Sequence, residues 1–297
     1  MQFDKTRLVI RERGLLEILD LALRIIKEYS APVFFTFVAG AIPLALLNDH
    51  LIGWMDNYEF EEDPIYSHIH FLLAVSILVF LEAPVASIFT TMFLGRAIFY
   101  EQPSWQSMVR DAVRLLPCWI LCQGFFRGIL LTLTLLWIIP RDDNWKILVH
   151  LTLIMSALYA VALRARRPYL NEVILLERTP IRARDASTMT LGRRMSTLHQ
   201  TSAGELMGRW LGSVLFAGIL SLVGVMAAWT LSWIIENDFD WGPFLTRVGV
   251  PLSLWSVAMY FSVVRFLGYL DCRIRNEGWQ VELQLRAEAA RLKEQWG

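Results

Sequence analysis

The sequence predicts an all-α polytopic membrane protein with six transmembrane helices and cytoplasmic amphipathic helices. Of its 297 residues, 55% are hydrophobic and only 19% are charged, which is too apolar for an ordinary soluble domain. The hydrophobic residues fall in six runs, most of them long enough to cross a hydrocarbon core of roughly 30 Å. Between the fourth and fifth runs, residues 164–209 carry nine arginines and four acids. A loop with such an excess of arginine stays in the cytoplasm, and this orients all the spans.

The charges outside the predicted spans agree with this orientation. The external segments hold eleven acids and only three basic residues, Arg141, Lys146 and Arg247. With six spans, both termini then lie in the cytoplasm, and we expect the protein to lie in the plasma membrane. The predicted spans are residues 32–51, 69–94, 117–139, 147–163, 210–235 and 248–267.

The chain reads as a single membrane domain over residues 1–297, because no low-complexity or proline-rich linker interrupts it. Within it we predict a cytoplasmic interfacial helix in residues 1–30, the six-span bundle in 31–267 and a cytoplasmic tail in 268–297. Residues 1–14 are charged rather than apolar, so we expect no cleaved signal peptide and the first span to act as the insertion signal.

Two stretches outside the spans have the pattern of amphipathic helices. In residues 15–29, apolar side chains recur at three-and-four spacing, and charged side chains occupy the opposite face. This helix is too charged to span and should lie in the inner interface. A second such helix begins after Ser104, the expected N-cap, and should end at Pro117. The loop segment 168–177 is apolar enough to rest on the membrane. The apolar stripe of the first helix is Leu15, Ile18, Leu19, Ala22, Ile25, Ile26 and Tyr29.

The positions of the cysteines and histidines favour structural roles over metal binding or catalysis. The cysteines Cys118, Cys122 and Cys272 map to cytoplasmic ends of spans, where thiols stay reduced, so disulfides are not expected. Cys118 and Cys122 are one helical turn apart and could bind a metal, but packing is the favoured interpretation. His68 and His70 could form an external divalent-metal site, although a solvated acidic loop is favoured. No known catalytic motif is present, so we expect neither enzyme activity nor a cofactor.

Two charged residues lie in the middle of predicted spans. Glu82 belongs to the second span and Arg127 to the third, at matching depth on neighbouring antiparallel helices. A buried charge in the membrane is costly unless it is paired, so we predict contact between Glu82 and Arg127. The pair could hold the helices in register, or it could act as a relay or substrate site; alternatively, Arg127 is displaced or snorkels. Pro84 should leave the carbonyl oxygen of Phe80 without its helical donor, as an acceptor to be satisfied.

The chain resembles a known group of bacterial six-span proteins at three motifs. They are Gly14-Leu-Leu-Glu-Ile-Leu-Asp20, Tyr169-Leu-Asn-Glu-Val-Ile-Leu-Leu-Glu177 and, most sharply, Tyr269-Leu-Asp-Cys-Arg-Ile-Arg-Asn-Glu-Gly-Trp279. The last is similar to a C-terminal signature of the form Tyr-x-Asp-x-Arg-x-Arg-x-Glu-Gly followed by an aromatic residue. An Asp that often follows the aromatic is Gln280 here. The group includes the membrane domain fused to some glycerophosphodiester phosphodiesterases. Because no phosphodiesterase domain is present, the resemblance implies a membrane domain without hydrolase activity.

The C-terminal motif also has a direct physical interpretation. On a helix, Asp271 faces Arg275 and Arg273 faces Glu277, both at i,i+4 spacing. Gly278 can end the helix, which places Trp279 at the depth of the lipid headgroups. In this structural interpretation, the motif rigidly connects the end of the sixth span to a helix on the membrane surface. The functional alternative is that Asp271, Arg273, Arg275, Glu277 and Trp279 contact a cytoplasmic partner or a lipid headgroup.

Two functions from different classes fit these observations. The first is a non-enzymatic membrane scaffold or accessory subunit that acts through the arginine-rich loop and the tail. The second is a transporter or permease with a polar site at Glu82 and Arg127. The expected partners are the lipid bilayer and a cytoplasmic or membrane protein, and no nucleic acid. A polar cavity open to one side would favour transport, whereas a sealed bundle would favour the scaffold.

Overall fold

The computed structural model describes residues 13–56, 64–97, 104–181, 189–200, 203–236, 242 and 244–277. Over these ranges the chain is helical and contains no strand, which confirms the all-α prediction. The α-helices of the described ranges are α1 (Leu15–Glu28), α2 (Ser30–Ile52), α3 (Pro64–Ala86), α4 (Ile88–Ala97), α5 (Trp105–Trp119), α6 (Ile129–Ile138), α7 (Lys146–Arg166), α8 (Leu170–Glu172), α9 (Leu191–Gln200), α10 (Ala203–Glu236) and α11 (Val250–Glu277).

The described helices include five segments that are long and apolar enough to cross a membrane. A sixth candidate is a pair of segments, Trp105–Phe125 and Ile129–Ile138, that meet at an angle of 66°. The structure is therefore that of an all-α polytopic membrane protein, with the third predicted span bent. The five other candidate spans are Ser30–Asp56, His68–Ala86, Lys146–Arg166, Gly204–Ile235 and Leu245–Asn276.

The bend in the third span corrects the predicted helix boundary. The interfacial helix begins as expected, since the Ser104 side chain accepts a hydrogen bond from the backbone N–H of Ser107. It does not end at Pro117 but continues into a π-helical turn. Proline keeps a helical φ and loses only its own N–H, so a wider turn can absorb the defect. The chain turns instead at Gly128, whose φ of 78° is accessible to glycine without strain.

Helix α1 lies against the bundle as its apolar stripe predicts. Ile18, Leu19, Ala22 and Ile25 are buried. The Tyr260 hydroxyl of α11 donates a hydrogen bond to the backbone carbonyl of Leu19, at 2.9 Å. The amphipathic pattern thus produces a helix docked on the last span.

The predicted break near Pro84 is present, and it separates α3 from α4 at Ser87. Close contact with α2 supports this region: a Cβ added to Gly40 would lie 2.5 Å from the carbonyl oxygen of Ala86. Only glycine allows the two helices to approach so closely. The broken helix is therefore held in place from the side of α2.

The segment 168–177 does not rest on the membrane surface as predicted. It forms α8 and a π-helical turn, Val173–Glu177, and the side chains of Asn171 and Glu172 are fully buried. Its apolar side chains join the core at the arginine-rich end of the bundle, defined here as the end where α1, α5, α9 and α11 contribute to one cluster of buried residues. Insertion is favoured because the polar pair finds buried partners there, while the apolar residues leave the solvent.

Candidate functional site

A cavity of about 380 Å³ lies between α10 on one side and α3, α7 and α11 on the other. This volume falls in the range of small-molecule sites, about 300–1,000 Å³. Most of the wall is apolar, and the charged and hydroxyl side chains in it are Arg127, Arg164, Arg209, Arg265, Tyr169, Ser76, Ser213, Ser221 and Ser262.

Arg164 is buried at the end of α7 and bonds to two backbone carbonyls inside α3, about one turn before Pro84. Its guanidinium donates hydrogen bonds to the carbonyl oxygens of Phe80, at 2.6 Å, and Leu81, at 2.8 Å. The same group lies 4.2 Å from the centre of the Phe80 ring. The expected free acceptor at Phe80 is therefore satisfied by a residue that the sequence analysis assigned to the arginine-rich loop.

Arg127 and Glu82 do not contact each other, so the predicted ion pair is wrong. Arg127 instead donates to the backbone carbonyl of Arg167, at 2.5 Å, just beyond the end of α7. The reason is the bend: Arg127 precedes Gly128 in the turn, so it is not carried on a straight helix beside α3. The carbonyls at a helix C-terminus have no helical donor, which makes that of Arg167 a ready acceptor. This position agrees with the alternative prediction in which Arg127 is displaced from the middle of the third span.

Glu82 is fully buried and lies outside the lining of the cavity. One carboxyl oxygen accepts a hydrogen bond from the Asn48 side-chain amide, at 2.8 Å. Its other oxygen has no hydrogen-bond partner within the described part of the chain. Glu82 thus links α3 to Asn48 of α2.

Arg265 of α11 is paired with the inserted segment. Its Nε atom lies 2.5 Å from a carboxylate oxygen of Glu172, and its Nη2 atom donates to the Ser87 hydroxyl at 2.9 Å. The neighbouring Asn171 accepts a hydrogen bond from the Trp119 indole N–H, at 2.9 Å. Insertion of residues 168–177 thus supplies the carboxylate that holds Arg265 at the cavity.

The arginines at the cavity outnumber the carboxylates that pair with them. Arg164 lies within electrostatic range of both Arg127 and Arg265. Within the described ranges, neither Arg127 nor Arg164 has a carboxylate at ion-pair distance, and Glu172 is bonded to Arg265. Arg127 and Arg164 are only 3% and 8% exposed. Two buried guanidinium groups therefore line the cavity without an ion pair of their own, and Glu172, which lies within electrostatic range of Arg127, is already bonded to Arg265.

The C-terminal motif forms a buried hub. Asp271 is 2% exposed and lies 2.9 Å from Arg275, which confirms the predicted i,i+4 contact. It also pairs with Arg209, at 2.6 Å, and accepts a hydrogen bond from the backbone N–H of Arg13, at 2.7 Å. Asp271 is thus engaged within the chain, where it joins the N-terminal segment to α10 and α11.

Of the remaining residues of the motif, the structure describes the side chain of Arg273 but not those of Glu277 and Trp279. Arg273 lies 3.6 Å from Glu177, a residue of the inserted segment. The side chain of Glu277 and the whole of Trp279 lie outside the described residues, so the Arg273–Glu277 pair and the headgroup position of Trp279 stay predictions.

The histidines at the opposite end of the bundle have separate partners. His68 contacts the buried carboxylate of Asp56, at 3.2 Å, and His70 contacts His150, at 3.0 Å. Residues two apart on a helix point in different directions, so the two histidines do not converge. Within the described residues, no three His, Cys, Asp or Glu side chains form a metal site, and the cysteines are free thiols.

Sequence reasoning identified Arg127 but did not identify Arg164, Arg265 or Glu172 as interior residues. Arg164 was counted with the loop, although it follows an uninterrupted apolar run, and Arg265 lies two residues before the end of the predicted sixth span, 248–267. The usable signal was the polar dipeptide Asn171-Glu172 inside an otherwise apolar segment, which marks a buried polar contact.

Comparisons with protein families, curated proteins and solved structures gave no match to this chain. The resemblance to the six-span group therefore stays a prediction.

Proposed function

We propose that the chain is a membrane transporter or permease that holds an anionic substrate in the cavity beside α10. The observation that carries this proposal is the presence of Arg127 and Arg164, buried beside a cavity of about 380 Å³ without carboxylate partners in the described ranges. An uncompensated buried cation is costly in a membrane protein and commonly marks a substrate or ion pathway. A bound anion would remove that cost.

The proposed site differs from the one expected from the sequence. It uses Arg127, Arg164 and Arg265, whereas Glu82 lies on the other side of α3 against Asn48. A polar cavity open to one side was expected to favour transport. The cavity here is mostly apolar, and the arginines in its wall are the feature that supports the proposal. Within the described ranges, neither a histidine nor a carboxylate lines the cavity to activate its serine hydroxyls, so the proposed role is non-enzymatic.

We place the arginine-rich end in the cytoplasm and the protein in the plasma (bacterial inner) membrane, because arginine-rich connections stay inside. In that orientation the cavity reaches from the cytoplasmic interface, at Pro168 and Tyr169, towards the middle of the bundle, at Ser221. Transport would require a second state in which the same site faces the exterior.

A side-specific labelling experiment tests transport. Ser221→Cys, in a chain with the three native cysteines replaced by alanine, is exposed to a membrane-impermeant thiol reagent in inside-out and right-side-out vesicles. A transporter presents its site alternately to both sides, so labelling from both sides is expected. Labelling from one side only would contradict transport.

A matched control is Ser256→Cys on α11. Its side chain is exposed but does not line the cavity, and it faces the surface of a membrane span. We expect no labelling of this cysteine from either side. Equal labelling of Ser221→Cys and Ser256→Cys would mean that the reagent crosses the membrane or the bundle opens nonspecifically.

The scaffold remains the second candidate, favoured by the cross-linked surface at the arginine-rich end. Asp111 pairs with Arg96, at 2.5 Å, and with Arg178, at 2.6 Å, while Arg178 stays 54% exposed on its side chain. Such a fixed cationic surface suits a docking role. A stoichiometric protein that co-purifies from native membranes and is lost on Arg178→Glu would support it, and its absence would oppose it.

A further inference from the structure

We infer that the anion bound in the cavity is a membrane lipid, with its phosphate headgroup at Arg127, Arg164 and Arg265 and an acyl chain along α10. This inference rests on the proposed role of the cavity as a substrate site and names the chemical class of the substrate. It follows from the length of the cavity, the distribution of charge along it and the packing of α10.

The cavity is long and narrow. Its lining includes both Leu254 and Gly268 on α11, which are separated by about 21 Å at 1.5 Å per residue. One leaflet of the hydrocarbon core is roughly 15 Å thick. A volume of about 380 Å³ spread over this length fits an extended chain better than a compact solute.

Charge is concentrated towards one end of the cavity. Arg265 lies three residues from Gly268 and eleven from Leu254, and Arg127 and Arg164 lie within electrostatic range of it. Guanidinium groups bind phosphate oxygens through paired, charge-assisted hydrogen bonds. The other end carries mainly apolar side chains and Ser76 and Ser221. This polarity matches an amphiphile and not a free inorganic anion.

Helix α10 is the least enclosed of the five candidate spans, so the cavity beside it lies close to the bilayer. In the most apolar stretch of this span no residue is buried. The face formed by Val214, Ala217, Gly218 and Ser221 lines the cavity, at the spacing of one side of a helix. Leu215, Ile219 and Leu222, on other faces, are exposed to the surroundings. A lipid can therefore pass beside α10 between the bilayer and the cavity.

Gly218 provides a way to fill the cavity without disturbing the helix. A Cβ added at Gly218 meets no atom within 4 Å, so Gly218→Trp projects into the open space. Gly208, on the same helix, also has nothing within 4 Å but does not line the cavity. Gly208→Trp is therefore the matched control for the size and chemistry of the substitution.

Native mass spectrometry of the purified, delipidated full chain in detergent tests the inference. The probes are phosphatidylglycerol, which is anionic, phosphatidylcholine, which is neutral overall, and inorganic phosphate. We expect one tightly held phosphatidylglycerol, about tenfold weaker binding of phosphatidylcholine, and no displacement by millimolar phosphate. Arg127→Gln and Gly218→Trp should each weaken phosphatidylglycerol binding about tenfold, and Gly208→Trp should leave it unchanged.

Three results would overturn the inference. Equal binding of the two lipids would show that the arginines do not select charge, and retention by Gly218→Trp would place the lipid outside the cavity. Displacement by inorganic phosphate would identify a free-anion site instead. Lipid binding and two-sided labelling of Ser221→Cys are independent measurements. If phosphatidylglycerol binds but Ser221→Cys is labelled from one side only, the chain is a lipid-binding protein that does not transport. If Ser221→Cys is labelled from both sides but phosphatidylglycerol does not bind, the chain is a transporter of another anion.

Discussion

The guanidinium of Arg164, on α7, donates a hydrogen bond to the backbone carbonyl oxygen of Phe80, on α3, at 2.6 Å. Pro84 has no N–H, so Phe80 lacks the donor that an unbroken helix would supply. The arginine at the end of α7 takes the place of that donor. The break in α3 and the buried cation are therefore one structural unit, which fixes the wall of the cavity.

Arg164→Met should lower the thermal stability of the purified protein. Removal of the guanidinium leaves the carbonyls of Phe80 and Leu81 without this donor, at a cost of about 1–3 kcal/mol for each buried acceptor. In a Pro84→Ala background the restored N–H can bond to Phe80, so the cost of Arg164→Met should fall. The measurement is Tm for the four members of this double-mutant cycle.

Arg166→Met is the control for the Arg164 substitution, since Arg166 is exposed on the same helix. Its effect on Tm should be small. An equal loss of stability from Arg164→Met with and without Pro84→Ala would refute the role of Arg164 as the replacement donor.

Glu82→Gln should be nearly neutral for stability. Glutamine keeps an oxygen that can accept from the Asn48 amide, and no cation of the described ranges loses a partner. Glu172→Gln should instead destabilise the protein, because it leaves the Arg265 guanidinium without its carboxylate, at about 3–5 kcal/mol. The measurement is the Tm of Glu82→Gln and of Glu172→Gln, each compared with that of the unchanged protein. If Glu82→Gln destabilises as much as Glu172→Gln, Glu82 has an ionic role after all.

Asp271→Asn should loosen the N-terminal segment as well as lower Tm. The carboxylate binds Arg209, Arg275 and the backbone of Arg13, so its neutralisation weakens three contacts at once. Hydrogen exchange should therefore increase in α1. The control is Asp20→Asn, whose partner in an exposed i,i+4 pair is Arg24, and which should have little effect. Unchanged exchange in α1 would show that docking does not depend on the hub.

The orientation of the protein can be tested with two further cysteines. A cysteine at Asn57 should react with a reagent added outside intact cells, and one at Arg184 should not, because external segments are acidic and the arginine-rich loop is retained inside. Both positions lie outside the described residues, so this prediction comes from the sequence alone. The reverse pattern would invert the proposed topology.

Local pattern was sufficient to predict much of the fold. Apolar length identified the straight spans, the stripe on residues 15–29 identified an amphipathic helix, and Ser104 was found as a cap. The free acceptor at Phe80 followed from Pro84 alone, because loss of one N–H has a fixed local consequence. These predictions hold since each depends on residues within a few turns of one another.

The site required information that local pattern does not contain. The pairing of Glu82 with Arg127 assumed straight helices, and the turn at Gly128 changes the position of Arg127. Depth in a span does not give the direction of a side chain, so opposite charges at matching depth need not meet. The insertion of Glu172 beside Arg265 depends on a contact between residues 93 positions apart in sequence, which no spacing rule gives.

We propose that the cavity beside α10 attracts anions, and the charge selectivity of a cysteine within it tests this property. Ser213→Cys lines the cavity, and Asn144→Cys lies on an exposed turn. For each, in a background free of native cysteines, the rate of modification by an anionic thiosulfonate is divided by the rate with a cationic one. We predict a ratio at Ser213→Cys at least about tenfold above that at Asn144→Cys, with much of the excess lost on Arg127→Gln. A ratio equal to or below that at Asn144→Cys would contradict the account.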